Sequence, residues 1–339
     1  MTFYPHCDAD HKLNFSPEST ISNAKERSFY VGALYLLIGS FGLPANCFVL
    51  YAFVQPALRK QHVFKLLSIT SVLDILNIIT ACFVSGLASL FNKSYCSIGW
   101  GWLHPYSIYF MGHWYAYCAA SELLALDRLL VFTYPKLAHR LFSGHKPWYW
   151  LIYIVGYAVV GTCMQPSMFY VYGPASGAFI DGFENRFHIF NNFFKLAVVT
   201  TSYMIMIVSV VKIKRGLQYV AQRSLSILTF IVATFGSIST VGYLAVSYLP
   251  HTTLLGRYSG VIGQLGWILL HTFTGFVYLF GNKIVREQFQ SVMFCKKTAL
   301  TKSDETPVNN QSAYPATRRI VSQKWRQTTV AFTHCSFNI

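Results

Sequence analysis

Seven stretches of nearly continuous apolar residues divide the chain. They are Phe29–Val54, Val63–Leu90, Leu103–Phe132, Trp148–Val171, Phe190–Val211, Leu225–Leu249 and Ser259–Phe280. Each reaches the roughly 20 residues that a helix needs to cross about 30 Å of hydrocarbon. Lys195 interrupts the fifth and glycines accumulate in the seventh, so these two are the least continuous. Lipid offers no partner to an open backbone N–H or C=O, which leaves helices or a closed barrel. Strand-length alternation between hairpin turns is absent, so the pattern predicts an all-α membrane protein with a seven-transmembrane helix bundle. Four parts follow along the chain: an outer segment at 1–28, the bundle at 29–281, a short membrane-surface helix at 282–297, and a disordered cytoplasmic tail at 298–339.

Composition removes the soluble alternatives. Of 339 residues, 53% are hydrophobic and only 12% charged, about half the charged share of a soluble domain. The formal net charge of +15 raises the question of nucleic acid, but its placement answers against one. With the N-terminus outside, 20 of the 27 Lys and Arg residues fall in inner loops and the tail, and only six fall outside. That asymmetry orients the bundle and faces anionic inner-leaflet lipid. No basic start followed by an apolar core marks a cleavable leader in Met1 to Thr20, so the first span is expected to direct its own insertion. Asn14 and Asn92 head glycosylation sequons on the outer side; Asn310 heads one inside, which should stay unmodified. No internal repeat suggests a transporter built from duplicated halves. The eight Cys show no metal spacing, and Cys47, Cys82, Cys118, Cys163 and Cys295 read as small apolar residues.

Three local patterns then carry a resemblance. Asp127-Arg128-Leu129 ends the third span, with Pro135 seven positions after the Arg. Asn46 in the first span and Asp74 in the second lie 28 residues apart at mid-membrane depth. Tyr278, Asn282-Lys283, Arg286 and Phe289 run through the end of the seventh span into the following segment. Together these resemble the rhodopsin-like G-protein-coupled receptors. The departures are informative too: Thr274-Gly275 stands where that superfamily has Asn-Pro, the sixth span lacks a Cys-Trp-x-Pro run, and the fifth has no proline. Keeping Asp-Arg and the Tyr to Arg series while losing these resembles the nematode serpentine chemoreceptors. Class T is the most similar, although Asn-Arg is expected there in place of Asp-Arg. The usual loop partner for Cys96 is missing, leaving Cys7 as its candidate.

The resemblance implies a receptor, probed by a small external molecule in the outer half of the bundle and coupled to a heterotrimeric G protein inside. It assigns activation and coupling to Asp127, Arg128, Tyr278 and Arg286. It assigns a polar cluster that holds sodium to Asn46 and Asp74, with a protonated, packing Asp74 as the plainer alternative. Aromatic walls with a few polar groups suit a small-ligand pocket, and Tyr109, His113, Trp114, Lys195, Tyr243, Gln264, Trp267 and His271 are candidates, with ordinary packing the alternative for each. Lys195 contacts an acidic ligand or snorkels outward; Glu122 has no assigned role. Lys212 to Arg223 is expected to extend the fifth span as a coupling surface. Cys295 beside Lys296-Lys297 is a palmitoylation candidate, and the Ser- and Thr-rich tail suits phosphorylation and an arrestin-like partner. Plasma membrane and sensory cilium are the expected locations. Catalytic motifs are absent from the sequence, so no enzyme activity is expected. A seven-span ion channel or transporter is the competing class, with Asp74, Glu122 and Lys195 its thin set of ionisable groups.

Overall fold

The structure is a computed structural model that describes residues 24–93, 97–164, 168–171, 178–181, 185–212, 217–247 and 258–293. Seven long helices fill the described residues: α1 (Ala24–Val54), α2 (His62–Leu90), α3 (Leu103–Thr133), α4 (Lys146–Cys163), α5 (Arg186–Lys212), α6 (Leu217–Ser247) and α7 (Ser259–Gly281). The amphipathic α8 (Lys283–Met293) follows, and short helices Pro56–Arg59 and Pro135–Phe142 form the first two inner loops. The sequence therefore located all seven spans.

Five of them, α1, α2, α5, α6 and α7, are long and apolar enough to cross a membrane by length and composition alone. The two that fall short are α3 and α4, not the fifth and seventh that looked weakest in sequence. The cause differs between them. Helix α3 is packed between α2, α4 and α5, so neighbouring protein rather than lipid solvates His113, Glu122, Asp127 and Arg128, all buried. Helix α4 is long enough at 18 residues, about 27 Å of rise, but Lys146, Pro147 and its Trp and Tyr residues lower its hydropathy. It turns Tyr149, Ile152, Val155 and Val159 outward.

The fourth span was expected to continue to Val171, and it does not. The helix ends at Cys163, just before Gln165-Pro166, where proline disfavours helix in the residue ahead of it. Met168–Val171 instead forms β1, paired antiparallel with β2 (Ala178–Asp181) in the register Met168↔Asp181 to Val171↔Ala178. This hairpin packs against α3 and α7. A second correction concerns the basic stretch: α5 stops at Lys212 and α6 starts at Leu217. Arg223 thus belongs to the sixth helix, and residues 213–216 lie outside the described residues.

Helix α2 contains a π-helical turn, Ile79–Val84, a feature common where a helix is locally re-aimed for a functional purpose. Helices α1 and α7 approach closely through glycine. A Cβ on Gly275 would sit 2.6 Å from Asn46 Nδ2, and one on Gly42 would sit 2.6 Å from Thr272 Cγ2. The outer core clusters around Tyr35, Ile78, Trp114, Tyr115 and Trp267, the inner one around Phe53, Phe64, Phe142, Tyr278 and Val285.

Candidate functional site

The chemistry of the bundle lies along a chain of polar groups running from the outer third to the inner end. Its upper part is a ladder between antiparallel α2 and α7. Gln264 Nε2 donates to Ala81 O (3.3 Å) inside the π turn, Trp267 Nε1 donates to Asn77 Oδ1 (3.0 Å), and His271 Nδ1 meets Asp74 Oδ1 at 2.6 Å. The rungs at 264, 267 and 271 share one face of α7, as helical spacing requires. Gln264, Trp267 and His271, expected in a ligand pocket, are thus committed to α2 as well.

Asn46 joins the same helix from α1. Its Nδ2 donates to Gly42 O (2.9 Å) and crosses to His271 O (3.2 Å). Gly275 leaves the space for that crossing, which accounts physically for Gly where the superfamily carries proline. Asn46 and Asp74 therefore meet through His271, on its backbone and its ring respectively. Asp74 Oδ2 and Asn46 Oδ1 are buried acceptors with no hydrogen-bond partner among the described residues. Asp74 bounds a cavity together with Lys195, so a sodium ion beside the carboxylate would face an ammonium, and the residues present do not fit a free sodium ion.

Beside the ladder lies an aromatic block. Trp114 and Trp267 rings are 4.2 Å apart, Phe110 is 4.9 Å from Trp267, and Tyr117 meets His271 edge-on at 4.6 Å. Trp114 Nε1 donates to Asn192 Oδ1 (3.0 Å), tying α3 to α5. Lys195, one turn further along α5, points inward rather than snorkelling. Its Nζ lies 4.2 Å from the Trp114 ring and 5.3 Å from that of Tyr117.

Two small cavities flank the block. The outer one is bounded by Trp114, His188, Asn192, Ser239, Thr240 and Trp267. The inner one, with about 30 Å³ for the centres of water-sized spheres, is bounded by Asp74, Tyr117, Ser121, Lys195, Tyr203 and Tyr278, among others. Tyr109 is apart from both: it is 47% exposed on the outside of α3 and stacks on His113 one turn below. The Tyr243 side chain lies outside the described residues. Glu122 is buried, and its Oε1 has no partner among them.

The inner end is closed by Arg128, which is fully buried with Asp127. Arg128 Nε donates to Asp127 Oδ2 (3.0 Å), Nη2 pairs with the same oxygen, and Nη1 donates to Gln222 Oε1 on α6 (3.0 Å). His62 Nε2 at the start of α2 stands 3.1 Å from Asp127 Oδ1. One ion pair thereby links α2, α3 and α6. Sequence reasoning supplied Asp127 and Arg128 but missed Gln222 and His62, which carry no motif. Tyr278 is buried edge-on to Phe53 (5.4 Å). Asn282 Oδ1 accepts from Ile284 N (3.0 Å) and caps α8. Arg286 Nη1 donates to Phe280 O (2.9 Å) and so closes the end of α7, while Phe289 packs on Phe48. Lys65 Nζ, buried on α2, donates to Gly144 O and ties down the second inner loop.

Among the outer-side candidates, Asn92 occupies a turn after α2 at φ +52°. Cys7, Asn14, Cys96, Cys295 and the tail lie outside the described residues. Cys47, Cys82, Cys118 and Cys163 are free thiols, and Asn191 Nδ2 reaches Cys118 Sγ at 3.2 Å.

The bundle of seven helices has the rhodopsin fold. The crystal structure of squid rhodopsin superposes on the chain with a TM-score of 0.65 at 12% identity, over 86% of this chain and 91% of that one. No curated protein sequence matches. The sequence profile described as "Serpentine type 7TM GPCR chemoreceptor Srt" matches residues 4–302. The chain belongs to that family of chemoreceptors, and it is a multi-pass membrane G-protein-coupled receptor.

Proposed function

We propose that this receptor senses a small external molecule and activates a heterotrimeric G protein at the inner surface of the plasma membrane. The observation that carries it is the buried Arg128, shared between Asp127 on its own helix and Gln222 on α6. A guanidinium is always charged and carries five N–H donors, so burial holds only while its acceptors stay in place. Movement of the inner end of α6 removes Gln222 and presents Arg128 to the groove that opens between α3, α5 and α6. That is a two-state element, and a ligand drives it only through differential affinity for the two states. Moving such an equilibrium from 1:99 to 99:1 takes about 5.5 kcal/mol.

The outer cavity, which as it stands has room for about one water, is where the ligand enters this scheme, by parting its walls. Its bounding groups are indoles, hydroxyls, an amide and an imidazole, with no carboxylate, ammonium or guanidinium among them. An ion brought there would lose hydration without a counter-charge, so the fitting ligand is small, neutral and largely apolar, with one hydrogen-bonding group. Trp114 and Trp267 relay its presence: they wall the cavity and are bonded to α5 and α2 respectively.

Ligand-free G-protein activation in transfected cells, at matched surface expression, tests the inner half. Wild type is expected above untransfected cells, Gln222→Leu severalfold higher, and Arg128→Ala at background. Equal background signals in all three, with a membrane current under voltage clamp, would favour a seven-span channel.

A further inference from the structure

Lys195 is the least explained group in the bundle. Its side chain is 4% exposed in the middle of α5, and among the described residues its Nζ has neither a hydrogen bond nor an ion pair. Unpaired ammonium groups within a membrane span are costly, and those that persist face the bundle interior and a partner. The Trp114 and Tyr117 rings, at 4.2 and 5.3 Å, supply part of that compensation through their π faces. Rings carry no net charge, however, and cannot neutralise the cation.

The inner cavity that Lys195 bounds is also bounded by Asp74. Asp74 spends Oδ1 on His271 and leaves Oδ2 buried without a partner among the described residues. The cavity between them, about 30 Å³ for water-sized centres, is large enough for one or two waters, and Thr70, Ser121 and Tyr117 add hydroxyls to its wall. An unpaired cation and a half-paired carboxylate thus border one small space inside the bundle.

We propose that the Lys195 ammonium is the built-in counter-charge of Asp74, acting across this cavity, and that it takes the place a free sodium ion would fill. Coulomb attraction in a poorly solvated interior reaches further than at the surface, so the pair is coupled without direct contact, and water in the cavity bridges it. A sodium ion beside Asp74 would meet the ammonium as a like charge. An acidic ligand at Lys195 would meet Asp74 in the same way, which separates this role from a ligand contact.

The test uses the full-length receptor purified in detergent, with thermal unfolding as the readout, so it does not depend on signalling. Wild type is expected to show the same Tm in sodium chloride as in choline chloride at equal ionic strength. Lys195→Met should lose several degrees in choline and regain part of that in sodium. Asp74→Asn should lose stability too, and Lys195→Met with Asp74→Asn should be more stable than the sum of the single losses predicts. Sodium-specific stabilisation of the wild type would overturn the proposal, as would a sodium-indifferent Lys195→Met or strictly additive losses. Should Lys195→Met fail to fold, its rescue by Asp74→Asn supports the charge pair, and failure of rescue overturns it.

Discussion

The inner and outer halves of the bundle are held together by different physics. At the inner end, Arg128 crosses to α6 through one hydrogen bond, 3.0 Å to Gln222 Oε1. In the outer half, two indoles meet at 4.2 Å, tilted by 42°, and each donates its N–H across a helix interface. A single polar contact near the cytoplasm can be exchanged for water or for another protein at a net cost of about 1.5–3 kcal/mol, the range for a hydrogen bond to a charged group. A packed aromatic block has no such substitute, because close-packed interiors repack discretely rather than deform. The contrast suits a receptor: the inner end is cheap to open, and the outer block moves only when something else fills its place.

Trp267→Ala gives the largest expected effect on this comparison. It removes the ring between Phe110, Trp114 and His271 and leaves Asn77 Oδ1 without its donor. A loss of about 3–5 kcal/mol follows from truncating a buried aromatic, read as a drop in detergent Tm; a loss below about 1 kcal/mol would mean the block is not load-sharing. Gly275→Ala comes next, since its Cβ would sit 2.6 Å from Asn46 Nδ2. The overpacked α1–α7 contact should cost about 1–3 kcal/mol, and an unchanged Tm would show that Asn46 can withdraw freely. Gln222→Leu should cost about 1–3 kcal/mol while raising ligand-free signalling severalfold; a larger stability loss with unchanged signalling would reverse the contrast between the halves. Smallest of all, Tyr109→Ala should stay within about 0.5 kcal/mol and leave the ligand dose response in place, because that ring lies on the outside of α3. A shifted dose response would move the ligand pocket to that face.

The spans, their order and their number were legible because each is an uninterrupted apolar run, and the chain has no other way to satisfy its backbone in lipid. Asp127 and Arg128 were legible as a motif at a helix end. Their partners were not: Gln222 is 94 residues from Arg128, and His62 is an ordinary loop-side histidine in sequence. The three ladder residues of α7 were singled out for their chemistry, but their bonds to α2 were not foreseen. The spacing of Asp74, Asn77 and Ala81 against His271, Trp267 and Gln264 is a signal that could have paired them, since both series recur with helical periodicity on antiparallel elements. Lys195 shows the limit most plainly. One lysine near the start of an apolar run fits an outward snorkel or an inward cavity equally well.

The sequence by itself determined that this protein crosses the membrane seven times, which way the charge bias turns it, and where the Asp-Arg motif stands, because these follow from local composition and from the solvent. Tertiary structure alone decided which face of each helix meets which neighbour. Helix rotation about its axis sends Lys195 over Trp114, Asp74 to His271 and Arg128 to Gln222, and that rotation is set by packing at contacts such as Gly275 against Asn46, between residues far apart in the chain.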